Sequence, residues 1–210
     1  MTIRSPGQVR TPPHYAMTKR ALDLLICLAA APLLLPIGLL CALLIRLESP
    51  GPIMFRQMRT GQHGVRFPMF KFRTMVQNAE ELKASLQHLN ILPPPDFKIP
   101  NDPRITRIGG FLRKTSLDEL PQILNVIRGE MTIVGPRPTS FAASTYDLWH
   151  SERLEVVPGI TGLWQVKGRG TMTFDERLRL DIEYIERRSI VFDLKLMVLT
   201  ALAVFRGSGA

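Results

Sequence analysis

At 210 residues the chain is long enough to bury the core of one domain, and its net charge of +9 and pI near 10.1 argue against a cationic partner. Two cysteines and four scattered histidines exclude a disulfide scaffold and offer no zinc-type spacing. The expected partner is anionic: a nucleic acid, a membrane surface or a phosphorylated ligand.

Residues 1–17 are basic, contain Pro and Gly and lack periodicity, which predicts a mobile arm. Residues 24–45 carry no charge, and about 22 apolar residues suffice to cross a hydrocarbon core of roughly 30 Å. Pro32 and Pro36 interrupt this run, and Lys19, Arg20 and Arg46 flank both of its ends. A kinked spanning helix is one reading. A re-entrant helix that breaks at Pro36 and leaves by the leaflet it entered explains the prolines and the flanking charges together. The expected organisation is therefore an arm over 1–17, a re-entrant helix–break–helix over 18–47 and a membrane-surface body over 48–210.

Ser49-Pro50-Gly51-Pro52 reads as a rigid exit turn. Residues 53–59 and 65–73 read as strands around a Gly-containing loop, a β-hairpin that interleaves Phe55, Phe67, Phe70 and Phe72 with Arg56, Arg59, Arg66, Lys71 and Arg73. Such interleaving suits single-stranded nucleic acid or lipid headgroups. No RNP1-type pattern is present, so the membrane surface is preferred and nucleic acid is not the expected partner. A helix is predicted over 78–89 and is broken by Pro93, Pro94 and Pro95.

Residues 113–122 read Arg-Lys-Thr-Ser-Leu-Asp-Glu-Leu-Pro-Gln. Ser116 three positions before Glu119 has capping-box spacing, and Pro121 suits a helix start. Asp118 is then expected at the positive end of a helix dipole, ionised, beside Arg113 and Lys114. The plain alternative is that Asp118 and Glu119 only cap a helix. That helix should continue to Ile127 and close at Gly129. A strand over 131–134 leads into Gly135-Pro136-Arg137-Pro138, where two prolines stiffen the backbone around one arginine. A turn-rich loop over 157–169 carries Trp164, Gln165 and Arg169. Helices follow over 174–187, charged and amphipathic, and over 192–205, apolar almost all round.

Six ordered motifs carry a resemblance: Ser-Pro-Gly-Pro at 49–52, Lys-Phe-Arg-Thr-Met at 71–75, Asp-Pro-Arg-Ile-Thr-Arg at 102–107, the 113–122 stretch, Val-Gly-Pro-Arg-Pro at 134–138 and Pro-Gly-Ile-Thr-Gly at 158–162. Over roughly residues 19–209 the chain resembles bacterial sugar transferases, the monotopic phosphoglycosyl transferases. The resemblance implies an α+β fold, mainly helical, with a small β-hairpin region, an N-terminal re-entrant membrane helix and interfacial amphipathic helices. It implies transfer of sugar-1-phosphate from a UDP-sugar to a polyprenyl phosphate such as undecaprenyl phosphate, with release of UMP. Mg²⁺ and a covalent phosphosugar on the aspartate of an Asp-Glu dyad are part of that implication. Asp118 matches the nucleophile, with Glu119 on the metal or as base, and both are candidate metal ligands. Arg113, Arg137 and Arg169 are candidate phosphate-binding residues. Trp164, Gln165 and Asp181 are candidate nucleotide or sugar contacts. Lipids of the cytoplasmic leaflet of the bacterial inner membrane are expected neighbours, with room left for a homodimer. Leu35 stands where the family's helix break carries a serine before Pro36. The competing class is a non-catalytic basic membrane-surface adaptor.

Overall fold

The structure, a computed structural model, describes residues 12–91, 97–142, 148–168 and 172–205. Helix α1 (Pro13–Glu48) carries both prolines. The antiparallel hairpin of β1 (Met54–Thr60) and β2 (Arg66–Phe72) follows, in register from Met54↔Phe72 to Thr60↔Arg66. Short α2 (Glu81–Ser85) precedes α3 (Arg107–Lys114) and α4 (Gln122–Arg128). Strands β3 (Thr132–Val134) and β4 (Gly159–Thr161) pair in parallel. Helices α5 (Leu163–Lys167), α6 (Phe174–Arg187) and α7 (Ile190–Phe205) complete the chain. The architecture is mainly helical with a small β component, as the sequence predicts.

Helix α1 runs uninterrupted from Pro13, so the end of the predicted arm is helical and the expected break at Pro36 is absent. Pro32 and Pro36 are four residues apart and both exposed. The hydrogen bonds they delete therefore lie on the outer side, and proline's fixed φ suits a helix. The inner stripe is intact: Asp23, Cys27, Cys41 and Ile45 are buried. Cys27 packs with Phe67, Met69, Val126 and Met131. Ile37, Cys41 and Ile45 pack with Phe72 and Leu112. Both flanks thus dock on one body. The stretch between Cys27 and Ile37 is only about 15 Å long at helical rise, half of the roughly 30 Å needed to cross the hydrocarbon core. Along its outer side α1 exposes Leu28, Leu33, Leu35, Leu39 and Leu47. This long apolar helix fits a monotopic anchor, in which both ends stay with the same body. Exposed Phe111 on α3, Leu124 and Ile127 on α4, and Val198 and Leu202 on α7 extend the apolar surface beyond α1.

The exit turn is clamped by the hairpin. Arg73 donates to the carbonyls of Ser49 (2.8 Å) and Pro50 (2.7 Å), and Gly51, at φ +112°, lies against that guanidinium. Helix α3 crosses the end of the hairpin at Gly109, where a Cβ would meet the Thr74 backbone C and Cα at 2.7 Å. Gly109→Ala must displace that backbone, so it should cost about 1–3 kcal/mol, read as a lower unfolding temperature in detergent.

Candidate active site

The dyad sits in a single 3-10 turn, Leu117–Glu119, between α3 and α4. Ser116 adopts φ 57°, ψ 15°, the left-handed region, which ends α3 sharply and turns the chain towards β2. The predicted Ser116–Glu119 capping box does not form: Ser116 makes no side-chain cap. Glu119 has stronger partners. Lys71 Nζ donates to its Oε1 at 3.0 Å, and Arg137 grips both oxygens, Nη1 lying 3.3 Å from Oε2. Two cations outweigh one backbone N–H. A true capping box occurs instead at Thr173–Glu176, at the start of α6.

Asp118 is buried, with Lys71 Nζ 3.9 Å from Oδ2. Among the described residues its carboxylate accepts no hydrogen bond. Burial pushes the Asp118 carboxyl above its ordinary value, with Lys71 opposing and Glu119 reinforcing the rise. The expected downward pull of a helix dipole is thus overruled by desolvation. For Glu119 burial also acts upward, but Arg137 and Lys71 win and hold it well below the carboxylate range. Neighbouring acids are driven apart: one ionised and braced by two cations, the other less acidic and without a hydrogen-bond donor among the described residues.

Leu117 and Leu120 flank the dyad and pack against the cluster formed by Phe72, Leu112 and, from α1, Cys41 and Ile45. The reactive turn thereby shares one apolar cluster with the C-terminal half of the anchor. Arg113 donates through Nε to Thr74 Oγ1 at 2.8 Å, and its charge acts on Asp118. Arg137 is set by the β3–β4 pair: Gly135 N donates to Thr161 O (2.8 Å) and Gly159 N to Pro136 O (2.9 Å). A Cβ on Gly159 would meet Thr161 O at 2.6 Å, so the strands close only with glycine there. Arg137 Nη1 and Gln165 Nε2 both donate to Ile160 O, at 3.2 and 3.0 Å. Gln165 thereby joins the site. Asp181, fully buried on α6, lies 2.8 Å from Arg153 Nη2, and Arg153 donates to the Arg137 carbonyl. Burial raises the Asp181 carboxyl to about 7 against the pull of Arg153. Asp181 therefore stands behind Arg137. Trp164 is half-buried under Arg177, 5.5 Å from its ring centre, and among the described residues no hydrogen bond or ring contact links it to the dyad. Arg169 lies outside the described residues.

A parallel pair that lodges an arginine against an Asp-Glu turn, beside a docked apolar helix, brings the 113–122, 134–138 and 158–162 motifs together. The sequence profile described as "Bacterial sugar transferase" matches residues 14–207. The chain belongs to the bacterial sugar transferase family. Among its relatives in the family, Galactosyl transferase CpsE of Streptococcus agalactiae serotype III is 44% identical over 196 residues, covering 92% of this chain and 42% of CpsE. Exopolysaccharide production protein ExoY of Rhizobium meliloti is 38% identical over 213 residues, covering 97% and 92%. UDP-glucose:undecaprenyl-phosphate glucose-1-phosphate transferase of Escherichia coli K12 is 39% identical over 206 residues, covering 91% and 40%. The chain therefore spans under half of CpsE and of the Escherichia coli enzyme, and nearly all of ExoY.

Two residues of the site escape sequence reasoning. Lys71 carried a legible signal: strand alternation puts it on the face of buried Phe67 and Met69, where a lone lysine needs a partner. Arg153 carried none, lying in an irregular 3-10 stretch, Leu148–Glu155.

Proposed function

We infer that the protein transfers sugar-1-phosphate from a UDP-sugar to a polyprenyl phosphate, releasing UMP, with Asp118 as the covalent nucleophile. The observation that carries this reading is the asymmetry of the dyad: Asp118 less acidic and, among the described residues, without a hydrogen-bond donor on its carboxylate, Glu119 locked between Lys71 and Arg137. An Asp118 oxygen attacks the phosphorus that bears the sugar, and the bond to UMP breaks with its electron pair. The acceptor's phosphate oxygen then attacks the same phosphorus and regenerates the carboxylate. Both nucleophiles are already anions, so neither step requires removal of a proton. Glu119, too acidic to serve well as a base, acts electrostatically by holding Lys71 and Arg137 against the reacting centre. Arg113 and Arg137 are the candidates to steady the donor's phosphate oxygens.

Among the described residues no three His, Cys, Asp or Glu side chains cluster as a closed metal cage. Mg²⁺ asks for less: one or two carboxylates, with substrate phosphate oxygens and water completing its shell. Whereas both Glu119 oxygens are engaged by Lys71 and Arg137, Asp118, whose carboxylate accepts no hydrogen bond among the described residues, fits that requirement and would hold the ion. Its charge would offset repulsion between carboxylate and diphosphate.

The apolar cluster that Leu117 and Leu120 share with Cys41 and Ile45 of the anchor favours an acceptor presented from the lipid. UDP-sugars are soluble, so one site can meet the two substrates in turn, with the body on the cytoplasmic face of the bacterial inner membrane. An adaptor would not need a buried dyad braced by two cations. The test is UMP release across a panel of UDP-sugars, with and without polyprenyl phosphate. One productive sugar should give a stoichiometric burst alone and sustained turnover with the acceptor. No UMP from any UDP-sugar would overturn the reading.

A further inference from the structure

The N-terminal half of α1 carries polar side chains that the transfer chemistry does not use, and four of them, Tyr15, Lys19, Arg20 and Asp23, grip elements beside the active site. Asp193, fully buried on α7, receives Tyr15 Oη and Lys19 Nζ on Oδ2, each at 2.9 Å. Tyr184 Oη lies 2.7 Å from the other Asp193 oxygen and 2.9 Å from the carbonyl of Val134 in β3. Two turns along α1, buried Asp23 accepts from Thr132 Oγ1 and, at 3.4 Å, from the Ile133 backbone N–H, again in β3. Between them Arg20 donates to the carbonyls of Val126 and Ile127 at the end of α4. The anchor thus holds β3, which leads into Arg137, and α4, which follows Asp118.

Strand β3 does not need these bonds for its own geometry. Thr132 N donates to Pro158 O at 2.8 Å, and the Gly135 and Gly159 amides lace the strand to β4. At its other end α1 is tied separately, by Glu48 accepting from Ile108 N at 3.0 Å. Loss of the N-terminal grip would leave an internally braced site free to pivot about the C-terminal tie.

The geometry points to Tyr15, Lys19, Asp23, Thr132 and Asp193 as positioning residues that set the height and tilt of the Asp118–Arg137 site over the bilayer, and so serve the lipid step rather than the donor step. This inference rests on the two-step transfer proposed above. Its test uses Lys19→Met and Thr132→Val in bilayer nanodiscs, with Thr132→Ser as the conservative rescue and UDP-glucose or UDP-galactose, whichever releases UMP, as donor.

Both variants should capture phosphosugar stoichiometrically at near wild-type rate, which also certifies their fold. Transfer to long-chain polyprenyl phosphate should fall about 10- to 100-fold, the scale of an ångström-sized misplacement. Thr132→Ser should restore transfer. A short, water-soluble isoprenyl phosphate should be used equally by variants and wild type. Parallel loss of capture and transfer, or undiminished transfer in both variants, would overturn the positioning role. Failure of the wild type itself to capture phosphosugar would defeat the two-step reading instead.

Discussion

Asp118→Asn removes covalent capture of phosphosugar and turnover together, by roughly 10⁴- to 10⁶-fold, the loss expected when a covalent enzyme loses its nucleophile. The amide keeps the shape of the side chain but cannot form the bond to phosphorus. Loss of folding is not the cause, and the sign of the Asp118 shift says so. Its folded pKa lies above the unfolded value, so its contribution to stability is complete below the unfolded pKa and is lost as pH rises through the folded one. At neutral pH and above, ionised Asp118 is a buried charge that the neutral amide relieves. The variant should therefore unfold at a temperature no lower than wild type at pH 8, while its burst of UMP disappears.

Lys71→Met gives the second largest loss, about 10²- to 10³-fold in the capture step, comparable to deleting one preorganised donor from a charge-stabilising site. Among the described residues Lys71 is the one cation paired with both acids, at 3.0 Å from Glu119 and 3.9 Å from Asp118. Without it Glu119 keeps Arg137, but Asp118 loses the strongest force opposing the effect of burial. Its pKa then rises further. The attacking form is the ionised one, so capture increases as pH rises through the Asp118 pKa. The acidic limb of the pH–rate profile should accordingly move to higher pH in Lys71→Met. Lys71→Arg, which keeps the charge, should leave the limb near its wild-type position. A profile unmoved by Lys71→Met would mean that Lys71 does not act on Asp118.

Long periodic elements were legible without coordinates. The hairpin, β3, α6 and α7 all lie where alternation or helical period puts them. The short elements β4, α5 and α3 were not. β4 and α5 occupy the Pro- and Gly-rich loop, and β4 exists only because β3 lies beside it. Helix α3 was hidden because Gly109 and Gly110 dilute its apolar stripe, and Gly109 is required by contact with Thr74 rather than by helix propensity. Predicted helix 78–89 shrinks to α2 with a separate 3-10 turn at Gln87–Leu89. Local rules failed where distant partners intervened. Glu119 satisfied the spacing of a capping box and was claimed by Lys71 and Arg137, from 48 and 18 positions away. Pro36 satisfied the rule for a break, and the helix passed through it because both prolines face outward. The Asp118–Glu119 pair was visible from its setting among cations. The difference between the two acids was not, since it arises from burial and from charges brought in by β2 and the β3–β4 loop.

The central claim is a bond between Asp118 and phosphorus, and peptide mapping by mass spectrometry tests it most directly. Purified protein exposed to the productive UDP-sugar without acceptor is acid-quenched and digested with trypsin. The fragment cut after Lys114 and Arg128 contains the dyad and no other basic residue. It should carry one phosphosugar, localised to Asp118 and discharged when polyprenyl phosphate is added before the quench. Release of UMP with no adduct on that fragment, or an adduct on any other residue, would contradict the account.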